Sequence, residues 1–112
     1  MKLALVFPGQ GSQAVGMLQS FAESKPVRDT FAEASDVLKQ DLWKLAIEGP
    51  ADEINSTVNT QPLMLTAGLA VYRAWCEAGG RQPAMIAGHS LGEYTALVVA
   101  GVLAFRDRKS VV

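Results

Sequence analysis

The pentapeptide Gly88-His89-Ser90-Leu91-Gly92 constrains this chain more than any other stretch. It follows a short apolar run, Ala84-Met85-Ile86-Ala87, and leads into an apolar, helix-compatible stretch from Tyr94 to Ala100. A serine with glycines two residues to either side, between a strand and a helix, is the pattern of a nucleophile elbow. The glycines have a steric reason. In so tight a turn, a side chain at either position would run into the strand or the helix. The serine hydroxyl is thereby exposed above the positive end of a helix. The same residues also satisfy a pattern with no chemistry. Ser90-Leu91-Gly92-Glu93 matches the S-x-x-E capping box, in which the serine hydroxyl serves only to satisfy a helix N-terminus.

A second stretch discriminates between the two. Leu3-Ala4-Leu5-Val6-Phe7 is too short for a helix and lacks alternation, so it reads as a strand covered on both faces, as in parallel α/β sheets. It runs straight into Pro8-Gly9-Gln10-Gly11-Ser12-Gln13. A glycine-rich loop after a strand can aim backbone N–H groups at an anion. No Gly-Lys-Ser/Thr follows, so this is not a Walker A loop, and the third glycine of G-x-G-x-x-G is missing. The loop does suit the second N–H donor of an oxyanion hole. Acyl transfer needs two such donors, one from the residue after the nucleophile and one from a separate strand-end loop.

The two motifs together, F-P-G-Q-G-S-Q at Phe7–Gln13 and G-H-S-L-G-E at Gly88–Glu93, resemble the malonyl-CoA:acyl carrier protein transacylases of bacterial fatty acid synthesis. The resemblance runs from Met1 to about Arg106 and takes in Gly49-Pro50-Ala51-Asp52-Glu53, Thr60-Gln61-Pro62 and Gly79-Gly80. It implies an α/β fold, the N-terminal part of an α/β-hydrolase-like acyltransferase domain with parallel strands, cut before a ferredoxin-like insert. It implies malonyl-CoA and the phosphopantetheinylated acyl carrier protein as substrates and partners, no metal or other cofactor, and a monomeric parent enzyme.

The resemblance also assigns roles. Ser90 is the acyl acceptor, and Gln10 and Leu91 supply the oxyanion-hole N–H groups. Gln61 matches a glutamine near the family's pocket, although as a helix-entry residue it needs no such role. The family's general base is a histidine far downstream, and its carboxylate-binding arginine lies in the helix after the elbow helix. Arg106 falls too early to match that arginine. The single histidine of this chain, His89, adjoins Ser90, and neighbouring side chains on a tight turn diverge. It is therefore expected to pack beside the elbow or bond to backbone rather than act as base. Acyltransferase domains of polyketide synthases share the elbow but often carry glutamine where Leu91 stands, and Met1 opens directly onto the first strand, as in a free-standing enzyme. A reading from another class is a non-catalytic fragment, since base and arginine clamp are not among these residues.

Composition sets the outer limits. At 112 residues the chain is one domain at most. Hydrophobic content of 49% against 19% charged describes a globular protein, and a net charge of −1 gives no electrostatic case for nucleic acid or membrane surfaces. The apolar, uncharged stretch Tyr94 to Phe105 has 12 residues, short of the roughly 20 needed to cross a bilayer. Five apolar residues after Met1-Lys2 are too few for a signal peptide, so the expected location is cytoplasmic. Cys76, the single cysteine, sits in a helical pattern and is expected to be a packing residue.

Helices are expected over 14–21, from about Pro26 to Lys39 with Phe31, Ala34, Val37 and Leu38 inward, around Leu42–Ile47, and as one turn over 51–55. Thr60 can cap the longest helix, Pro62 to Ala78, whose stripe is Met64, Ala67, Val71, Ala74 and Ala78, widened by Leu65, Leu69 and Tyr72. Gly79-Gly80 stops it, and Gly101 breaks the helix after the elbow. Two strands make no stable sheet alone, so residues 1–106 read as the first part of a larger domain. Residues 107–112, Asp-Arg-Lys-Ser-Val-Val, lack the expected helical pattern. They read as a non-native tail, the translation of a short-read sequencing adapter.

Overall fold

The computed structural model describes residues 3–11, 13–81 and 83–100. Strand β1 (Ala4–Phe7) and strand β2 (Met85–Gly88) lie side by side in parallel, paired from Ala4 with Met85 to Phe7 with Gly88. Parallel pairing needs a long crossover, and here every helix but the last lies between the two strands. The Ala84 N–H donates to the Leu3 carbonyl (2.7 Å) and the His89 N–H to the Phe7 carbonyl (3.1 Å), so the pairing continues past both strand ends.

The crossover is helical. Helix α1 (Lys25–Leu38) has Pro26 in its first turn and ends at Lys39, whose φ of 57° is left-handed. Val27, Thr30, Phe31 and Ala34 are its buried residues, while Val37 and Leu38 are half-buried. Helix α2 (Leu42–Glu48) starts at Asp41, whose carboxylate accepts the Lys44 N–H (3.0 Å), and stops at Gly49. Helix α3 (Ala51–Ile54) is a single turn. Helix α4 (Thr57–Glu77) packs against α1 and against the elbow helix, α5 (Leu91–Val99). The core lies among α1, α2, α3 and α4, with Phe31, Leu42, Ile54, Leu63 and Leu65 fully enclosed. Phe31 meets Trp43 edge to face, ring centroids 5.4 Å apart, and the Arg28 guanidinium covers the Trp43 ring at 5.1 Å.

Three expectations need correction. The stretch 14–21 is not one helix but a series of turns with a single 3-10 turn at Gln19–Phe21. Gly16, at φ 78°, leaves helical space and sends its N–H to the Ala46 carbonyl (2.8 Å). Helix α4 begins at Thr57, well before Pro62, and Thr60 does not cap it. The Thr60 hydroxyl, fully buried, instead reaches back to the carbonyls of Ile54 (2.5 Å) and Ser56 (2.8 Å), tying α3 to α4. Pro62 costs the helix only the bond to the carbonyl of Val58, an exposed residue near the helix start. Burial along α4 also departs from a stripe. Pro62 through Ala67 are buried all round, whereas Val71 and Trp75 are exposed and Ala74 is half-buried.

The third correction concerns the sheet. Phe7 is buried against Gly68 and Thr95, but Val6 is 72% and Met85 68% exposed, so the strands are covered on one face only among the described residues. An apolar groove of about 340 Å³ runs along β1 and α4, lined by Val6, Phe7, Met64, Val71 and Trp75 among others. Exposed apolar surface of this kind drives association. The 112-residue polypeptide expressed by itself is expected to self-associate, and Val6→Lys with Met85→Lys to shift it toward monomer in size-exclusion chromatography. A monomeric elution of the unsubstituted chain at micromolar concentration contradicts this.

Candidate active site

The residue that heads α5 is Ser90, and its backbone is unusual. Its φ of 54° with ψ of −115° is strained for a residue with a side chain, a cost of about 1–3 kcal/mol that the surroundings must hold in place. The Ser90 side chain makes no capping hydrogen bond, which removes the capping-box reading. The N-terminal turn is closed by backbone instead, with the Gly92 N–H donating to the His89 carbonyl (2.9 Å) and the Glu93 N–H to the Ser90 carbonyl (3.0 Å). This is the sharp strand-to-helix turn that leaves a serine hydroxyl exposed.

The two flanking glycines are required by packing. A Cβ on Gly88 would overlap the carbonyl of Gly92, and one on Gly92 would overlap the carbonyl of Phe7. Both obstacles are backbone and have no rotamer to move to. The turn therefore closes only because three stretches of chain, at Phe7, Gly88 and Gly92, meet without side chains between them.

A cleft of about 280 Å³ opens at the elbow, lined by Gln10, Gln61, Ser90, Leu91, Glu93 and Tyr94. All four residues singled out from sequence thus reach one place, from three separate parts of the chain: the loop after β1, the second turn of α4 and the head of α5. Among the described residues, neither the Gln10 N–H nor the Leu91 N–H has an acceptor. Leu91 is the first residue of its helix, where N–H groups are left without intrahelical partners and the helix dipole favours negative charge. The arrangement can accept an anionic oxygen beside a serine hydroxyl.

Glu93 and Tyr94 were not singled out from sequence as lining residues. The only signal was their place just after the elbow, where Glu93 read as a capping partner. His89 is exposed and is not among the residues lining the cleft. Its imidazole lies beside Gly9, in keeping with the divergence of neighbouring side chains on the turn. Cys76 is exposed and not a packing residue. It stands one turn after Tyr72 on α4, and a hydrogen bond with it, followed by burial, holds the Tyr72 phenol above its ordinary pKa. Gly101, Arg106 and the tail at 107–112 lie outside the described residues. Among those described, no group of His, Cys, Asp and Glu is placed to hold a metal ion, and no helix is long and apolar enough to cross a membrane.

Parallel strands, with a strained serine in the tight turn from the second strand into the helix that follows, define an α/β protein with a strand–serine–helix elbow. The chain belongs to the acyl transferase domain family, which it matches over residues 4–111. It is 61% identical over 107 residues to the malonyl CoA-acyl carrier protein transacylase of Escherichia coli (strain K12), covering 95% of this chain and 35% of that protein. Against the transacylase of Haemophilus influenzae the identity is 56% over 108 residues, with the same coverage of 95% and 35%. Among solved structures it resembles the acyl-carrier-protein S-malonyltransferase of Burkholderia pseudomallei 1710b, with a TM-score of 0.93, 67% identity, and 96% and 35% of the two chains covered. It also resembles a malonyl-transacylase in complex with its type II PKS acyl-carrier protein, with a TM-score of 0.91, 56% identity, and the same coverage. The chain spans about a third of the length of the curated relatives it matches.

The elbow's packing makes a direct prediction. Gly92→Ala in the full-length protein is expected to destabilise it by at least about 1–3 kcal/mol in chemical denaturation, because the added methyl meets the Phe7 carbonyl. Unchanged stability would mean that β1 and α5 do not approach as described.

Proposed function

We propose that this chain is the nucleophile-bearing portion of a malonyl-CoA:acyl carrier protein transacylase, and that Ser90 carries the malonyl group between the two thiols. The observation that carries the reading is the cleft that the strained Ser90 shares with Gln10 and Leu91, whose N–H groups have no acceptor among the described residues. In the first half-reaction Ser90 Oγ attacks the thioester carbonyl of malonyl-CoA while a base takes its proton. The carbonyl oxygen becomes an oxyanion, held by the two N–H groups. The C–S bond then breaks, coenzyme A leaves as its thiol, and a malonyl ester remains on Ser90. In the second half the phosphopantetheine thiol of the carrier protein attacks that ester, and Ser90 regains its proton. The exchange is acyl transfer with no net redox change.

His89 lies outside the cleft, so the base is a histidine contributed by the rest of the full-length enzyme, as the resemblance implies. An arginine for the malonyl carboxylate comes from the same source, since a guanidinium matches a carboxylate bidentately. Gln61 lines the same cleft. The acceptor's identity as a carrier protein is supported by the similar transacylase solved with one. The 112-residue polypeptide alone is catalytically silent, a reading favoured by its covering only about a third of its relatives.

Ser90→Ala in the full-length enzyme is expected to abolish the labelled malonyl adduct formed on mixing with malonyl-CoA. A surviving adduct removes Ser90 as the acceptor. Gln10→Pro, which deletes the backbone N–H, is expected to lower kcat by about 10²–10³, and Gln10→Ala, which keeps it, by far less. Equal kcat values for the two variants contradict a backbone donor at Gln10.

A further inference from the structure

The loop that carries the Gln10 N–H has no secondary structure of its own to keep that group aimed. Side chains fasten it to the junction of α3 and α4. Gln10 Nε2 donates to Thr57 Oγ1 (3.1 Å), and Gln13 Nε2 donates to Asn55 Oδ1 (2.8 Å). The other end of the Gln13 amide turns back on the loop, its Oε1 accepting the Gly11 N–H (2.7 Å). The loop from the proposed donor onward, at Gln10, Gly11 and Gln13, is thus held from Thr57 and Asn55. Thr57 is the first residue of α4, and Gln61 stands one turn later on the same helix face, lining the cleft. A single helix start therefore provides both a residue that lines the cleft and an anchor for the Gln10 loop.

These hydrogen bonds are exposed. Water competes with them, so they add little net stability, and their effect lies in fixing an orientation. An oxyanion donor is effective only when it is already aimed at where the charge develops. We propose that Thr57 and Asn55 are positioning residues for acyl transfer, holding the Gln10 N–H toward the oxyanion through the side chains of Gln10 and Gln13. The inference rests on the reading of Gln10 as a donor given above. It adds two residues that are not among those lining the cleft.

The test uses the full-length enzyme. Thr57→Val keeps the branched shape and deletes the acceptor; Asn55→Ala deletes the other. Each is expected to lower kcat about three- to tenfold, with KM for malonyl-CoA and melting temperature unchanged. Thr57→Ser and Asn55→Asp keep an acceptor oxygen and are expected to restore kcat. Adding Thr57→Val to Gln10→Ala should cost nothing more, since the two residues share one bond. Wild-type kcat in Thr57→Val, a loss that Thr57→Ser does not restore, or a loss matched by a fall in melting temperature overturns the proposal. Gln10→Pro separates the two layers of argument. If it retains kcat, the donor reading itself fails. If it loses kcat while Thr57→Val does not, only the positioning role fails.

Discussion

At Gly92 the first turn of α5 rests on the carbonyl of Phe7, backbone against backbone, and the elbow exists because of that contact. The contact locates the head of α5 over the end of β1, and Leu91 and Gln10 of the loop after β1 line one cleft with Ser90. It also leaves the turn so little length that Ser90 must adopt a positive φ. The strain at Ser90 is therefore a consequence of packing, held in place by the parallel pairing of β1 with β2 and by the burial of Phe7. The site can be rigid because none of these groups has an alternative position.

Most of this was legible in the sequence. The strand, the turn and the helix around Ser90 were readable because a tight turn forces glycine at fixed spacing, and steric demands of that kind leave a mark in residue identity. The end of α4 before Gly79-Gly80 was readable for a similar reason. The candidate site residues Gln10, Gln61, Ser90 and Leu91 do converge on one cleft, although Gln10 and Gln61 entered through a family resemblance and not through any periodicity.

What was not legible follows a physical pattern. The true start of α4 at Thr57 was hidden because Pro62 reads as a helix entry, and because the Thr60 hydroxyl, expected to cap forward, bonds backward to Ile54 and Ser56. A hydroxyl can do either, and only the tertiary path of the chain decides which. The turns over 14–18 were masked by helix-compatible residues around Gly16, whose partner, the Ala46 carbonyl, is remote in sequence. The open sheet face could not be read from Leu3–Phe7 at all. A short apolar strand looks the same whether one face or two are covered by the residues at hand.

The pairing of β1 with β2 has a kinetic side as well. It joins residues 4–7 to residues 85–88, and the elements between the two strands are helices. Helices and their neighbouring contacts form from residues close in sequence, whereas closing so long a loop carries an entropic cost that no contact repays until β2 arrives. As the polypeptide leaves the ribosome, β1 emerges first and has no partner until the elbow strand follows, with the helical layer already made between them. The turn at Ser90 is thus expected to assemble after the helical layer, because the glycine-lined junction that shapes it needs both strands in place.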